Sequence, residues 1–238
     1  MYKFENLRNQ ISIYADGAIL SELSNEKELD VDGYTFNPSI FRNHGAEDYL
    51  SYCKEILKII GKKPVSLEVI ADEEKEMLSQ AKILNELSNN VYVKIPIMFT
   101  NGTSTVNVIR ELSSEKIKLN ITAIFLIDQI REVLPHIKDS EAILSVFAGR
   151  LFDSGFDAVE EMKKINQLIK IESNCKSLWA STRMSFDLVN AIRAKTDIIT
   201  MQTSQLKKLK LFGKDRLQYS KETVNQFYKD AKDSNYKI

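Results

Sequence analysis

Eight short apolar runs, each followed by a stretch of helical periodicity or a polar turn, recur along the chain. That alternation restricts it to a parallel sheet whose crossovers run through helices. The runs cover residues 11–15 (ISIYA), 31–35 (VDGYT), 65–70 (VSLEVI), 91–95 (VYVKI), 118–122 (KLNIT), 142–147 (AILSVF), 177–181 (SLWAS) and 197–201 (DIITM). Eight strands in 238 residues match the size of a closed (β/α)8 barrel, about 250 residues. The expected fold is therefore α/β, a single TIM barrel spanning residues 1–238, with an extra C-terminal helical extension from about residue 204.

Helical stripes lie between the runs. Met77, Leu78, Ala81, Leu84 and Leu87 line one face of residues 73–87, with Asp72 as the expected N-cap and Glu73, Glu74 and Glu76 in the first turns. Asp157 and Glu160 open the helix that carries Met162, Ile165 and Leu168 in a capping-box arrangement. Residues 49–60, 104–112, 127–134 and 185–194 read as further crossover helices. Beyond the last strand, residues 204–210 and 220–232 read as helices, the second presenting Val224, Phe227, Tyr228 and Ala231 for docking on its own barrel or a neighbour's. No Gly/Ser-rich or Pro-rich linker and no short repeat divides the chain.

Charge and cysteine usage exclude several functions. Lys plus Arg and Asp plus Glu each number 33, so there is no net field to gather nucleic acid or an anionic membrane. From residue 203 onward nine basic residues face four acidic ones, which reads as a solvated surface. No apolar stretch approaches the roughly 20 residues of a membrane span, and residues 1–8 carry charge where a signal peptide is apolar, so the expected address is cytoplasmic. Cys53 and Cys175 lie far apart and read as free structural thiols, not as a disulfide, zinc or redox pair. His44 and His136 are isolated, and Asp30 and Asp32 lack the remaining ligands of a calcium loop. No metal site is expected. The sequons at Asn101 and Asn120 have no secretory context and are set aside.

In such a barrel the reactive groups stand at the C-terminal ends of the strands, and here polar residues interrupt the apolar runs at those places. Asp16 closes the first run, Asn37 follows the second, Glu68 lies in the third, Lys94 in the fourth, and Asn120 and Thr122 in the fifth. Ser145 lies in the sixth with Arg150 after it, and Ser181 and Arg183 end the seventh. A buried charge needs a partner or a task. In VYVKIP, Lys94 shares a face with Tyr92, opposite Val91, Val93 and Ile95, so it faces the barrel interior. A lysine desolvated there can attack a carbonyl as the neutral amine. The pattern alone favours a plainer use, a lysine reaching out from the strand end or paired with Glu68 or Asp16. Those carboxylates could move the protons that imine chemistry requires. Arg150 and Arg183, near small residues, could hold a phosphate, although each singly reads as a surface ion-pair member.

With these residues in view, the chain resembles the transaldolase family, in particular its short single-barrel branch, which includes fructose 6-phosphate aldolases. The similarity is carried by YTFNPS (34–39), SLEVI (66–70), VYVKIP (91–96), LNIT (119–122), SVFAGRL (145–151) and ASTR (180–183), in the family's order. The resemblance implies that Lys94 is the Schiff-base nucleophile and Asp16 the acid/base at the ketose C4 hydroxyl. Glu68 would shuttle protons through a water held with Thr122. It implies that Asn37 and Asn120, with Thr35 and Ser145, hold a dihydroxyacetone unit, that Phe147 lines the same substrate site, and that Arg150, Ser181 and Arg183 hold the phosphate. The expected reaction transfers that unit from sedoheptulose 7-phosphate or fructose 6-phosphate to glyceraldehyde 3-phosphate or erythrose 4-phosphate, with no cofactor, in the pentose phosphate pathway or a related sugar pathway. By the same resemblance a homo-oligomer, pentamer or decamer, is expected. Phe36, where the family usually has threonine, and Thr182 and Met184 beside Arg183 depart from the pattern and bear on substrate preference. Glu68 and Phe147 stand where the aldolase branch has glutamine and tyrosine, which favours transfer over release of free dihydroxyacetone. The alternatives are that aldolase, and a non-catalytic barrel that binds a sugar phosphate or a partner protein.

Overall fold

The computed structural model describes residues 1–24, 30–234 and 236. Eight parallel strands close in sequence order into a barrel: β1 (Ser12–Asp16), β2 (Gly33–Thr35), β3 (Val65–Glu68), β4 (Val91–Pro96), β5 (Leu119–Ile124), β6 (Ile143–Val146), β7 (Lys176–Trp179) and β8 (Ile198–Gln202). Every expected strand is present. The closure follows from strands that are apolar on both faces: Ile13, Ala15, Val93, Ile95, Leu144, Val146, Trp179, Ile199 and Met201 face the helices and are buried there. Tyr14, Ile143, Leu178, Ala180 and Ile198, with Tyr92 and Phe147 against them, fill the barrel interior beneath its C-terminal mouth.

The expected crossover helices are α4 (Tyr49–Ile60), α5 (Glu74–Glu86), α6 (Val106–Ser114), α7 (Ile127–Ile137), α9 (Ala158–Glu172) and α10 (Asp187–Arg193). Four short helices carry no detectable period: α1 (Phe4–Leu7), α2 (Leu20–Ser24), α3 (Pro38–Asn43) and α8 (Ala148–Asp153). Asp72 does not cap α5. Glu73 holds that position without a side-chain bond, and the Asp72 carboxylate instead accepts from Thr100 N at 2.8 Å and from the Thr100 hydroxyl, two donors on one neighbouring loop residue. Asp157 caps α9 through Val159 N and Glu160 N, at 3.0 and 3.2 Å, while Glu160 turns to Lys163 rather than completing a capping box.

After β8 come α11 (Thr203–Lys208) and α12 (Arg216–Asp233). No residue of α12 is buried, and Val224, Phe227 and Tyr228 are 61–67% exposed, so the helix does not dock on its own barrel. Both cysteines are buried and free. No helix among the described residues is long and apolar enough to cross a membrane.

Candidate active site

Strand register assembles the centre of the site. Glu68 pairs with Lys94 across β3 and β4, and Lys94 with Asn120 across β4 and β5, so three polar side chains enter the barrel at one level. Lys94 is 7% exposed, and its Nζ donates to Glu68 Oε2 at 3.0 Å and to the Phe36 carbonyl at 3.5 Å. The ion pair expected as the plainer use of Lys94 is therefore present. It also places a proton acceptor on the amine.

Asp16 ends β1 and faces the same space, its Oδ1 accepting from the Thr35 hydroxyl at 2.8 Å. Burial pushes its carboxyl above the usual carboxylate range, with the Lys94 charge and the Thr35 bond opposing the rise and the Glu68 charge adding to it. A cavity of about 120 Å³ lies over these groups. Its polar lining is Asp16, Thr35, Asn37, Lys94, Thr122, Ser145, Arg150, Ser181 and Thr200, with Phe147 among the apolar groups.

Thr122 enters the wall through an irregularity in β5. The β5–β6 register shifts between Ile121 and Ile124, and Ala123 adopts the left-handed conformation at φ 59°. Thr122 Oγ1 is buried and bonds to no described residue. Asn37 does two things at once, since its Oδ1 caps α3 by accepting from Ile40 N at 3.0 Å while the residue lines the cavity.

Three expected site residues are placed differently. Glu68 touches Lys94 but is outside the cavity wall; it lines a small apolar recess with Tyr49, whose hydroxyl donates to the Glu68 carbonyl at 2.6 Å. Asn120 is fully buried, its Nδ2 donating to Ser66 Oγ at 2.9 Å and its Oδ1 accepting from Ser145 Oγ at 2.6 Å. Arg183 is drawn to Asp153, which accepts from Nε at 2.8 and 2.9 Å and also from Nη2; its Nη1 donates to the Ser181 carbonyl and hydroxyl. Among the described residues Arg150 has no such ion-pair partner, and its guanidinium lies 5.2 Å from the Phe147 ring centre.

The residues that depart from the family pattern lie off the cavity. The Phe36 ring is buried between Tyr34 and Phe41, and only its carbonyl reaches Lys94. Thr182 bonds Gln205 and the Thr200 carbonyl, and Met184 is exposed. Sequence reasoning missed Ser66, Thr200 and Asp153. Thr200 and Ser66 carry the signal used elsewhere, a hydroxyl at an inward position of an apolar strand. Asp153, the last residue of α8, carries none, because its partner Arg183 comes from the β7–α10 loop. Among the described residues, no three His, Cys, Asp or Glu side chains are grouped as a metal ion requires.

A closed parallel barrel with a buried lysine and two carboxylates at the C-terminal mouth belongs to the class of lysine-bearing α/β-barrel folds. The sequence model described as "Transaldolase/Fructose-6-phosphate aldolase" matches residues 13–238. A protein of Thermoplasma volcanium named "Probable transaldolase" is 35% identical over 207 residues, covering 84% of this chain and 87% of that protein. One of the same name from Clostridioides difficile is 34% identical over 192 residues, covering 79% and 84%. The chain belongs to the transaldolase/fructose-6-phosphate aldolase family. Solved structures share the fold at low identity: an N-acetylneuraminate lyase from Mycoplasma synoviae superposes with a TM-score of 0.57 at 14% identity, over 94% of this chain and 81% of that one.

Proposed function

We propose that the protein is a transaldolase that works through a Schiff base on Lys94. The observation that supports this best is the contact of a 7%-exposed lysine with a carboxylate at 3.0 Å, at the bottom of a polar cavity that Asp16 also lines. Glu68 takes a proton from the Lys94 ammonium, and the freed amine adds to the ketose carbonyl. Loss of water, assisted by Glu68 with Thr122, leaves the imine. Asp16 removes the C4 hydroxyl proton, the C3–C4 bond breaks, and its electron pair moves into the protonated imine to give an enamine while an aldose leaves. The enamine carbon attacks the acceptor aldehyde, the new alkoxide takes the proton back from Asp16, and water hydrolyses the imine.

Asn37 and Ser145 line the part of the cavity that would take the three-carbon unit, with Thr35 beneath it, Phe147 beside it and Asn120 backing Ser145. Arg150 and Ser181 would hold the phosphate, with Arg183 recruited when it leaves Asp153. Donor and acceptor would be fructose 6-phosphate or sedoheptulose 7-phosphate and erythrose 4-phosphate or glyceraldehyde 3-phosphate, in a cytoplasmic pentose phosphate or related sugar pathway. The uncovered apolar face of α12 supports a homo-oligomer in which this helix docks on a second copy.

The test is intact mass after incubation with fructose 6-phosphate and borohydride, followed by peptide mapping, with Lys94→Met in parallel. A three-carbon adduct on Lys94 that persists until erythrose 4-phosphate is added is the expected result. Fast release of dihydroxyacetone with little adduct would assign the aldolase reaction instead. No adduct with either ketose phosphate would end the Schiff-base reading and leave a binding barrel.

A further inference from the structure

Two threonine hydroxyls lie in series beneath Asp16. Thr35 Oγ1 is 2.8 Å from Asp16 Oδ1 and 2.6 Å from Thr200 Oγ1. They come from β2 and β8, the two strands that flank β1, and are 2% and 4% exposed. A hydroxyl carries one proton, and an ionised carboxylate only accepts. With Asp16 ionised, as the acid/base reading requires, the Thr35 proton is committed to Asp16, and of the two directions open to the Thr35–Thr200 contact the one in which Thr200 donates is selected. The direction of the whole series follows from the charge at its end.

We propose that Thr200 is a positioning residue for the transfer reaction: by donating to Thr35 it fixes the proton of Thr35 on Asp16 and holds that carboxylate ionised and aimed at the cavity. The inference rests on Asp16 being the acid/base. Hydrogen bonds in series reinforce one another in a low-dielectric interior, so the second hydroxyl acts on the carboxylate without touching it. The charged groups facing Asp16 are Lys94 from β4, which favours its ionised form, and Glu68 from β3, which opposes it. Arg150 of α8 lines the same cavity, and outside it Glu22 of α2 is paired with Lys207 of α11 at 3.0 Å. Among the described residues of β2 and β8, the groups nearest the carboxylate are neutral hydroxyls, so the effect of Thr200 adds to a fixed charge pattern and does not rearrange it.

The experiment is the pH profile of kcat/KM for transfer from fructose 6-phosphate to erythrose 4-phosphate. Thr200→Val keeps the side-chain shape and removes the donor. Its acid limb is expected to move up by about 0.5–1 pH unit, the effect of one hydrogen bond on the charged form, with kcat lowered and KM little changed. Thr200→Ser is expected to bring the limb back. Should the valine variant fail to fold, Thr200→Ala is measured against Thr200→Ser in its place. An acid limb that stays put in Thr200→Val while Asp16→Asn is inactive overturns the role of Thr200 alone, as does a serine variant that keeps the valine variant's limb. An Asp16→Asn enzyme that retains full transfer overturns the reading of Asp16 itself.

Discussion

Replacing Lys94 by methionine tests the physical core of the site independently of turnover. The side chain is nearly isosteric, so the change is largely the loss of one charge. The Lys94 side chain is 9% exposed and that of Glu68 19%. Removing one member of a buried pair leaves the other charge uncompensated, at a cost of about 3–5 kcal/mol, and the residual exposure of Glu68 puts the expectation near the lower end, about 3 kcal/mol. Asp16 adds to it, because Lys94 is the charge that holds its burial-raised carboxyl down. For 238 residues the unfolding entropy is about 0.5 kcal/mol/K, so Tm should fall by about 6 °C. The double variant Lys94→Met, Glu68→Gln removes both charges and should recover most of the loss. Urea unfolding of the parent, Lys94→Met, Glu68→Gln and the double variant at neutral pH gives the coupling directly, expected at about 2 kcal/mol or more. A Lys94→Met protein as stable as the parent, or a double variant no better than the single one, would refute the claim that this lysine and this glutamate are a buried pair.

Three further changes follow from the same geometry. Because burial raises the Asp16 carboxyl above its unfolded value near 3.9, the folded state binds more protons than the unfolded one between those two values, and stability falls as pH rises through them; Asp16→Asn should therefore abolish transfer yet raise Tm at neutral pH, with the gain vanishing below about pH 3.9 in a Tm-against-pH series. Asp153→Asn should release Arg183 for the substrate phosphate and lower KM for the phosphorylated ketose about two- to five-fold at unchanged kcat, the scale of an exposed ion pair; an unchanged or raised KM would mean that Asp153 presents Arg183 instead of competing for it. Phe227→Asp with Tyr228→Asp should shift the protein to a smaller species in light scattering after size exclusion, at constant circular dichroism, and a parent protein that already runs as a monomer would remove the reason for expecting it.

The barrel could be read from the sequence because inward and outward positions of a parallel strand alternate between two apolar environments, so a charge in such a run stands out. Glu68, Lys94 and Asp16 stand out in this way, and β3 and β4, adjacent in chain order, make the meeting of Glu68 with Lys94 foreseeable, whereas Asp16 reaches the same space only across the closed barrel. Thr200 carries an inward hydroxyl in DIITM, but a threonine there also reads as an ordinary β-branched strand residue, and its place in the cavity wall and its 2.6 Å contact with Thr35 are what mark it. The short helices α3 and α8 escaped because six residues complete fewer than two turns. Arg183 is legible in the sequence, but its engagement with Asp153 joins the β7–α10 loop to the end of α8, which no period connects.

The proposed phosphate half of the site depends on a different kind of information, carried by backbone fit. A Cβ placed on Gly149 would stand 1.7 Å from the Ser181 carbonyl oxygen, and Ser181 itself is left-handed at φ 62°. This close approach of the β7–α10 loop to the first turn of α8 brings Arg150 and Ser181 to one wall of the cavity. Gly149→Ala must therefore displace backbone, with a cost of at least about 1–3 kcal/mol, while leaving the register of β3, β4 and β5 untouched. The proposed proton handling is set by strand register, which a barrel cannot change without losing closure, whereas the proposed anion grip is set by one glycine contact between α8 and the β7–α10 loop. Changes at Gly149, Asp153 and Arg183 are consequently expected to alter the proposed substrate range without disturbing the Glu68–Lys94 pair, the measurement being KM for phosphorylated and unphosphorylated ketoses beside the stability of each variant.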